Sequence, residues 1–182
     1  MMIIQTTIDQ KSMTALAKIT RRTFRRGRSG PVRMFAWFVT VAELFLTAVY
    51  IRAGVGGWGT NMLLAGIMLS CILCEDYVNG AVGLRQISLA SRTVNTTFKE
   101  DGYIHRTRSG ESWRPYNQIK YISESEDYFA LFQDKTHGQI YDKRGFTWGS
   151  SEEFREFIQR KTGLKIQTVG LMCVKTKPQK KK

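Results

Sequence analysis

The chain has 182 residues, a mean hydropathy of −0.27 and a formal net charge of +13, from 28 Lys and Arg against 15 Asp and Glu. Two apolar stretches follow one another near the start, and the roughly 100 residues behind them are enough for one small domain. The positive charge lies before the first apolar stretch and at the extreme C-terminus. This placement favours a protein on a membrane surface and argues against nucleic-acid binding.

The first 30 residues predict a strand followed by a basic amphipathic helix. The strand covers residues 2–8, and from residue 12 to about 26 the apolar side chains fall on one side of a helix and the cations on another. Such a helix either lies on the membrane surface with its arginines among anionic headgroups, or packs on the soluble domain with its charges in water. The candidate contacts to anionic lipid are Arg21, Arg22, Arg25, Arg26 and Arg28.

Residues 31–77 predict a transmembrane helical hairpin, with spans of about residues 32–51 and 55–74. Each run has about 20 residues, the length that a helix needs to cross the hydrocarbon core of a bilayer. Six arginines lie between positions 21 and 33, whereas the short glycine-rich loop between the spans holds Arg52 alone. The positive-inside rule therefore predicts a multi-pass protein of the cell membrane, with both termini in the cytoplasm.

Glu43 is the one acidic residue near the middle of the first span. An ionisable group at that depth is costly and usually faces another helix or a water path. One interpretation is an ion or proton site, or a contact with a partner. The other is a protonated side chain that hydrogen-bonds to Ser70, to Thr47 or to the same residue of a second copy.

Three cysteines are present, and their positions predict neither a disulfide nor a metal site. Cys71 and Cys74 lie in the second apolar run and Cys173 lies in the tail, which suits a reducing compartment. Zinc needs about four ligands, and no cluster supplies them. Acylation of Cys74 at the membrane surface stays open, and we expect no cofactor.

The remainder of the chain predicts a stalk, a β domain and a basic tail, at residues 78–92, 93–166 and 167–182. The stalk is amphipathic, but Gly80 and Gly83 weaken the prediction that the second helix continues through it. Turn residues separate short apolar runs, which predicts a β meander. The predicted strands are residues 94–99, 103–107, 113–116, 118–123, 128–133 and 139–142. An amphipathic helix, capped by Ser150 or Ser151, closes the domain, as in domains of pleckstrin-homology type.

No catalytic constellation is visible in the sequence. His105 and His137 fall in a predicted strand and a predicted turn, and no phosphate-binding loop or nucleophile elbow is present. We therefore expect a protein without catalytic activity. The candidate site on the surface of the β domain consists of Lys143, Arg144 and Tyr128.

Four segments of the β domain are similar to those of the bacterial YcxB-like membrane proteins. They are Phe98–Tyr103, with its F-x-x-D-G turn; Trp113 with Gln118–Ile122; the acidic turn and aromatic strand Glu126–Phe132; and Ile140–Phe146. The resemblance implies the α+β architecture already described, with a two-helix transmembrane hairpin ahead of a small β-meander domain. It implies an architecture more than a function.

Two classes of function are compatible with this organisation. In the first, the protein is a membrane-anchored binding or regulatory module whose cytoplasmic domain docks a protein partner or a second copy. In the second, it acts through its spans and Glu43, as a small immunity or resistance protein or as an accessory subunit of a transporter. Anionic lipids of the cytoplasmic leaflet are expected partners in either case.

Overall fold

The computed structural model describes residues 1–24 and 26–170, without the side chains of residues 26–29. The helices are α1 (Gln10–Phe24), α2 (Arg26–Ala53), α3 (Trp58–Gln86) and α4 (Ser151–Thr162). The strands are β1 (Met2–Thr7), β2 (Thr93–Phe98), β3 (Gly102–Thr107), β4 (Gly110–Pro115), β5 (Tyr121–Glu124), β6 (Tyr128–Phe132), β7 (Gly138–Asp142), β8 (Phe146–Trp148) and β9 (Ile166–Thr168). The predicted α+β class is confirmed: two long apolar helices precede a β-rich domain that a helix closes.

The strands form two sheets, with strand orders β4-β3-β2-β1-β8 and β7-β6-β5-β9. The strands β2 to β4 and β5 to β7 are antiparallel neighbours in chain order, as the sequence predicts for a meander. Two short strands were not predicted, β8 beside β1 and β9 parallel to β5. Each has three residues, too few to show an alternating pattern in the sequence.

The first strand of the chain lies inside a sheet formed by residues that follow the hairpin. β1 pairs antiparallel with β2, in a register from Met2 opposite Phe98 to Thr7 opposite Thr93. Its other edge pairs with β8, and Ile4 is completely buried in the core. The sequence predicts the strand but not its partners, because a pairing across some 90 residues leaves no local signal.

The core between the sheets is aromatic, and α4 packs against it. The Phe98 and Phe154 rings meet edge to face, with centroids 4.8 Å apart, and Phe129 lies 5.1 Å from Phe154 on the other side. Ser150 caps α4 and forms a reciprocal capping box with Glu153, which confirms the predicted helix start.

The helices α2 and α3 form an antiparallel pair joined by a glycine turn. Gly54 and Gly57 have φ values of +64° and +99°, which side chains disfavour, so glycine suits both positions. Residues 30–53 and 58–86 are long and apolar enough to cross a membrane, and only 11% of the most apolar window of each is buried. The second helix does not end at residue 74 but continues through Glu75 and Asp76 to Gln86.

The helix α1 packs between α3 and the second sheet. Ile19 is 1% exposed and lies in a cluster with Tyr128, Ala130 and Phe132 of β6. On the other side, a Cβ added at Gly80 of α3 would lie 2.6 Å from the backbone nitrogen of Thr14. Helix α1 therefore packs on the β domain, as one of the two placements considered for it requires.

Candidate functional site

The candidate site lies at one end of the second sheet, where β5 ends, β6 begins and β7 ends. Tyr128 is the first residue of β6 and pairs with Asp142, the last residue of β7. The backbone nitrogen of Lys143 donates a hydrogen bond to the carbonyl oxygen of Asp127 at 2.9 Å. The structure therefore brings together Tyr128, Lys143 and Arg144, the three residues selected from the sequence.

Tyr128 is not a surface residue, although the sequence analysis places it there. Its exposed fraction is 4%, because α1 covers the start of β6 and Ile19 packs against the ring. Burial raises the pKa of the Tyr128 phenol, and the nearby Asp142 adds to that effect. The residue is a neutral part of the domain core, beneath the surface that the sequence analysis assigned to it.

Lys143 is bound by neighbouring side chains. Its ammonium nitrogen lies 2.6 Å from Oε1 of Glu124 and 4.9 Å from the centroid of the Phe129 ring. Arg155 of α4 donates to both carboxylate oxygens of Glu124, at 3.0 and 2.6 Å. Lys143 is therefore one of two cations that neutralise a carboxylate at the sheet end.

Glu124 is only 7% exposed, and sequence reasoning did not select it. Burial alone would raise the pKa of this carboxyl, but the hydrogen bonds from Arg155 and Lys143 outweigh burial and hold it below the usual value. An ion pair of this kind is costly to break, since the remaining charge would stay buried. The only signal in the sequence is a charge at the end of an otherwise apolar strand.

Arg144 is the exposed member of the three predicted residues. Its side chain is 66% exposed and bridges to Asp142 at 3.3 Å. Its backbone nitrogen donates to the same carboxylate at 2.9 Å, which fixes the short turn after β7. This guanidinium remains accessible to a partner, because a surface pair contributes little free energy.

The candidate lipid-contacting arginines fall into different environments. Arg21 donates two hydrogen bonds to Asp76 of α3, at 2.7 and 2.6 Å, and its side chain is 18% exposed. Arg22 donates from Nη1 to the carbonyl oxygen of Gly170 at 2.6 Å. Arg25 lies outside the described residues, as do the side chains of Arg26 and Arg28.

A second ion pair ties α2 to the same turn of α3. Arg33 donates to Glu75 at 2.9 Å, and Glu75 also lies 3.9 Å from Arg21. The cations of α1 and α2 thus meet the two carboxylates of α3 just beyond its most apolar stretch. These four side chains, Arg21, Arg33, Glu75 and Asp76, join the three helices at one level.

A cleft lies between α1 and the turn that joins β5 to β6, beside the candidate site. Its cavity volume is about 280 Å³. Helix α1 contributes Lys11, Lys18 and Arg22 to one wall, and the turn between β5 and β6 contributes Glu126 and Asp127 to the other. Tyr128 and Ile19 line the cleft as well. The two walls therefore carry charges of opposite sign.

Glu43 faces the seam between α2 and α3. Its Oε2 atom is buried and has no hydrogen-bond partner among the described residues. Neither hydroxyl considered in the sequence analysis reaches the carboxyl: Thr47 donates to the backbone carbonyl of Glu43, and Ser70 donates to that of Gly66. A buried carboxyl oxygen without a donor is unfavourable unless a proton or a further group satisfies it.

The cysteines and histidines that the structure describes do not assemble into a further site. Cys71 and Cys74 are free thiols on the exposed surface of α3. His105 and His137 lie in β3 and in the turn after β6, on different sheets. Within residues 1–24 and 26–170, no three His, Cys, Asp or Glu side chains are grouped as a metal site would require.

Residues 98–158 match a protein-family model described as YcxB-like protein. The match extends from the last residue of β2 into α4 and so covers most of the β domain. It confirms the resemblance that the four sequence segments indicated. No curated protein and no solved structure matches the chain.

Proposed function

We propose that this protein is a membrane-anchored binding or regulatory module without catalytic activity. The hairpin of α2 and α3 spans the cell membrane, and the β domain, of pleckstrin-homology type, docks a protein partner in the cytoplasm. The partner reaches the end of the second sheet that carries Arg144. The observation that most directly supports this function is the packing of α1, which fixes the β domain against α3.

The exposed apolar surface supports the membrane anchor. Large apolar side chains project from both helices into the surroundings, among them Phe35 at 68%, Phe38 at 71% and Leu63 at 64% exposed. The core helix of a water-soluble protein would instead be mostly buried. A bilayer supplies the apolar environment that the described residues do not.

The packing of α1 supports a β domain that is held in a fixed position against α3, in contrast to one attached only by a flexible linker. Thr14 contacts the backbone of Gly80, and Arg21 binds Asp76 through two parallel hydrogen bonds. Bidentate pairs of this kind add geometric specificity as well as energy. The β domain is thereby held close to the apolar helices, where a partner within or on the membrane can reach it.

A second candidate function depends on the seam between α2 and α3. The unsatisfied Oε2 atom of Glu43 favours a protein that acts through its spans, as an immunity or resistance protein or as an accessory subunit of a transporter. Two helices are too few to enclose a pathway, so this function requires a further copy or a larger partner.

Capture of partners from native membranes separates the two functions. The full chain is crosslinked in its membranes, purified in mild detergent, and compared with the variants Arg144→Glu and Glu43→Gln. We expect Arg144→Glu to lose the partner and Glu43→Gln to keep it. Loss with Glu43→Gln alone would assign the function to the spans, and recovery of the chain by itself would contradict partner docking.

Arg106→Glu is the matched control for Arg144→Glu. Arg106 has the same exposed fraction of 66% and also bridges to a nearby carboxylate, that of Glu111. It lies on β3 of the other sheet, away from the candidate site. A partner lost equally with both variants would indicate a general charge effect and would contradict a site at Arg144.

A further inference from the structure

The cleft beside Tyr128 has two oppositely charged walls that the proposed docking of a protein does not use. Lys11, Lys18 and Arg22 are spaced seven and four residues apart, which places them on one face of α1. Lys11 and Lys18 are exposed and make no ion pair with another described residue. Arg22 is held at the mouth by its hydrogen bond to Gly170.

The opposite wall is the turn between β5 and β6. Glu126 is exposed and Asp127 is half-buried, and neither carboxylate forms an ion pair with a side chain that the structure describes. Ile19 and Tyr128, both buried, line the space between the walls. A ligand that fits must therefore carry a negative and a positive group on a small frame.

The contacts between α1 and α3 show which way this face of α1 points. The amide of Gln10 donates to the carbonyl oxygen of Tyr77 at 2.9 Å, and Arg21 donates to Asp76. Residues near the two ends of α1 therefore contact adjacent residues of α3, so α1 crosses α3 at the level of Asp76 and Tyr77. On the side of α1 away from the lysines, Met13 lies against Gly83. Gly83 follows Asp76 in α3 and, at 1.5 Å per residue, lies about 10 Å further from the apolar stretch.

The lysine-bearing face therefore points towards the apolar stretch of the helices. On a helical wheel it lies opposite Leu16 and Thr20, which line a separate cavity with Gly83 and Lys135. If α2 and α3 cross a bilayer, as proposed above, Lys11 and Lys18 lie at the level of Asp76, where the headgroups begin. The cleft then opens onto the lipid surface.

We infer that the cleft binds the headgroup of a phospholipid that carries a primary ammonium, such as phosphatidylethanolamine. The phosphate lies against Lys18 and Arg22, whose charges suit a phosphate oxygen. The ammonium lies against Glu126 and Asp127. The volume of about 280 Å³ is just below the usual range for drug-sized ligands, which suits a small polar headgroup.

Native mass spectrometry of the full chain in mild detergent tests the inference. Equal amounts of phosphatidylethanolamine, phosphatidylglycerol and phosphatidylcholine are offered, and the lipid retained is identified. We expect phosphatidylethanolamine to be preferred about two- to fivefold, the range that one surface ion pair provides. Equal retention of the three lipids, or a preference for phosphatidylglycerol, would overturn the inference.

Variants of the two walls give distinct results. Lys18→Gln is expected to lower retention of every phospholipid, whereas Glu126→Gln removes the preference for ethanolamine and leaves phosphatidylglycerol unchanged. Lys135→Gln and Glu111→Gln change exposed charges outside the cleft and serve as matched controls. Unchanged lipid retention in both wall variants would contradict a site in the cleft.

Two further experiments distinguish failure of the lipid site from failure of the proposed membrane anchor. Alkaline carbonate extraction of membranes tests the anchor, and release of the chain would refute the hairpin, whereas a retained chain with no lipid preference would refute only the cleft. Acyl-free glycerophosphoethanolamine tests the source of the headgroup. Complete displacement of the lipid at equal concentration would identify a soluble ligand and overturn the assignment to the membrane.

Discussion

His105 is an ionisable residue that the fold half buries. Its imidazole lies on β3 against the ring of Tyr141, with centroids 6.3 Å apart, and its Nδ1 atom lies 3.2 Å from the hydroxyl of Thr96. Burial, together with the smaller effect of the charge of Arg114, lowers the pKa of the His105 imidazole to about 4. The folded protein therefore holds this side chain neutral at physiological pH.

We expect the free energy of unfolding to decrease as the pH falls from about 6.5 to about 4. The folded pKa of His105 lies below the unfolded value, so in this window the unfolded chain binds more protons and acid favours unfolding. The loss is about 2 kcal/mol between pH 7.5 and about 5, and about 3 kcal/mol over the full window. Denaturant unfolding of the full chain in mild detergent, followed by tryptophan fluorescence, measures it.

Two substitutions test the assignment of this pH dependence. His105→Asn keeps a polar group near Thr96 but cannot take up the proton, so its unfolding free energy should change less with pH. His137→Asn makes the same substitution in a turn, where the side chain is 76% exposed, and serves as the control. An equal dependence in His105→Asn and the wild type would show that other groups cause it.

The environments of single side chains were the hardest feature to predict from the sequence. Tyr128 and Lys143 were selected as surface groups, but one is covered by α1 and the other is held by Glu124. Both contacts come from distant parts of the chain, and local pattern carries no information about them. Arg144, whose environment is set by the adjacent Asp142, is the one that remains exposed as expected.

In the stalk, packing overrides the helix propensity on which the sequence prediction depends. Gly80 and Gly83 lower helix propensity, yet α3 continues through both to Gln86. The reason is close packing: an added Cβ at Gly80 would lie 2.6 Å from the Thr14 backbone, and one at Gly83 would lie 2.7 Å from Met13. Glycine is needed here to let two helices approach.

We expect Gly80→Ala to destabilise the docking of α1 on α3. The methyl group would push the helices apart, at a cost of about 1–3 kcal/mol that exceeds the gain of about 1 kcal/mol in helix propensity. Gly66→Ala on the same helix is the control, because nothing lies within 4 Å of its added Cβ. Denaturant midpoints in one detergent compare the two variants, and a Gly80→Ala variant as stable as Gly66→Ala would contradict the close contact.

The strand β1 determines how the whole molecule is organised. It precedes the hairpin in the chain but pairs with β2 and β8, which follow it. Both ends of the hairpin must therefore lie on one side of any membrane that α2 and α3 cross. The excess of arginines ahead of the first apolar run predicts that this side is the cytoplasm.

The side on which the β domain lies is tested by cysteine labelling in intact cells. Cys71, Cys74 and Cys173 are replaced by serine, and one cysteine is introduced at Gly56 or at Ser112. Gly56 lies in the turn between α2 and α3 with open space around it, and Ser112 is exposed on β4. Since the charge asymmetry predicts that the turn lies outside and the domain inside, a membrane-impermeant maleimide should label Gly56→Cys in intact cells and Ser112→Cys only after lysis. Labelling of Ser112→Cys but not of Gly56→Cys in intact cells would reverse the topology, and the same result at both sites, labelled or unlabelled, would show that the helices do not cross the membrane. In that case their apolar surface would have to be covered by another protein, because large exposed apolar patches mark interaction surfaces.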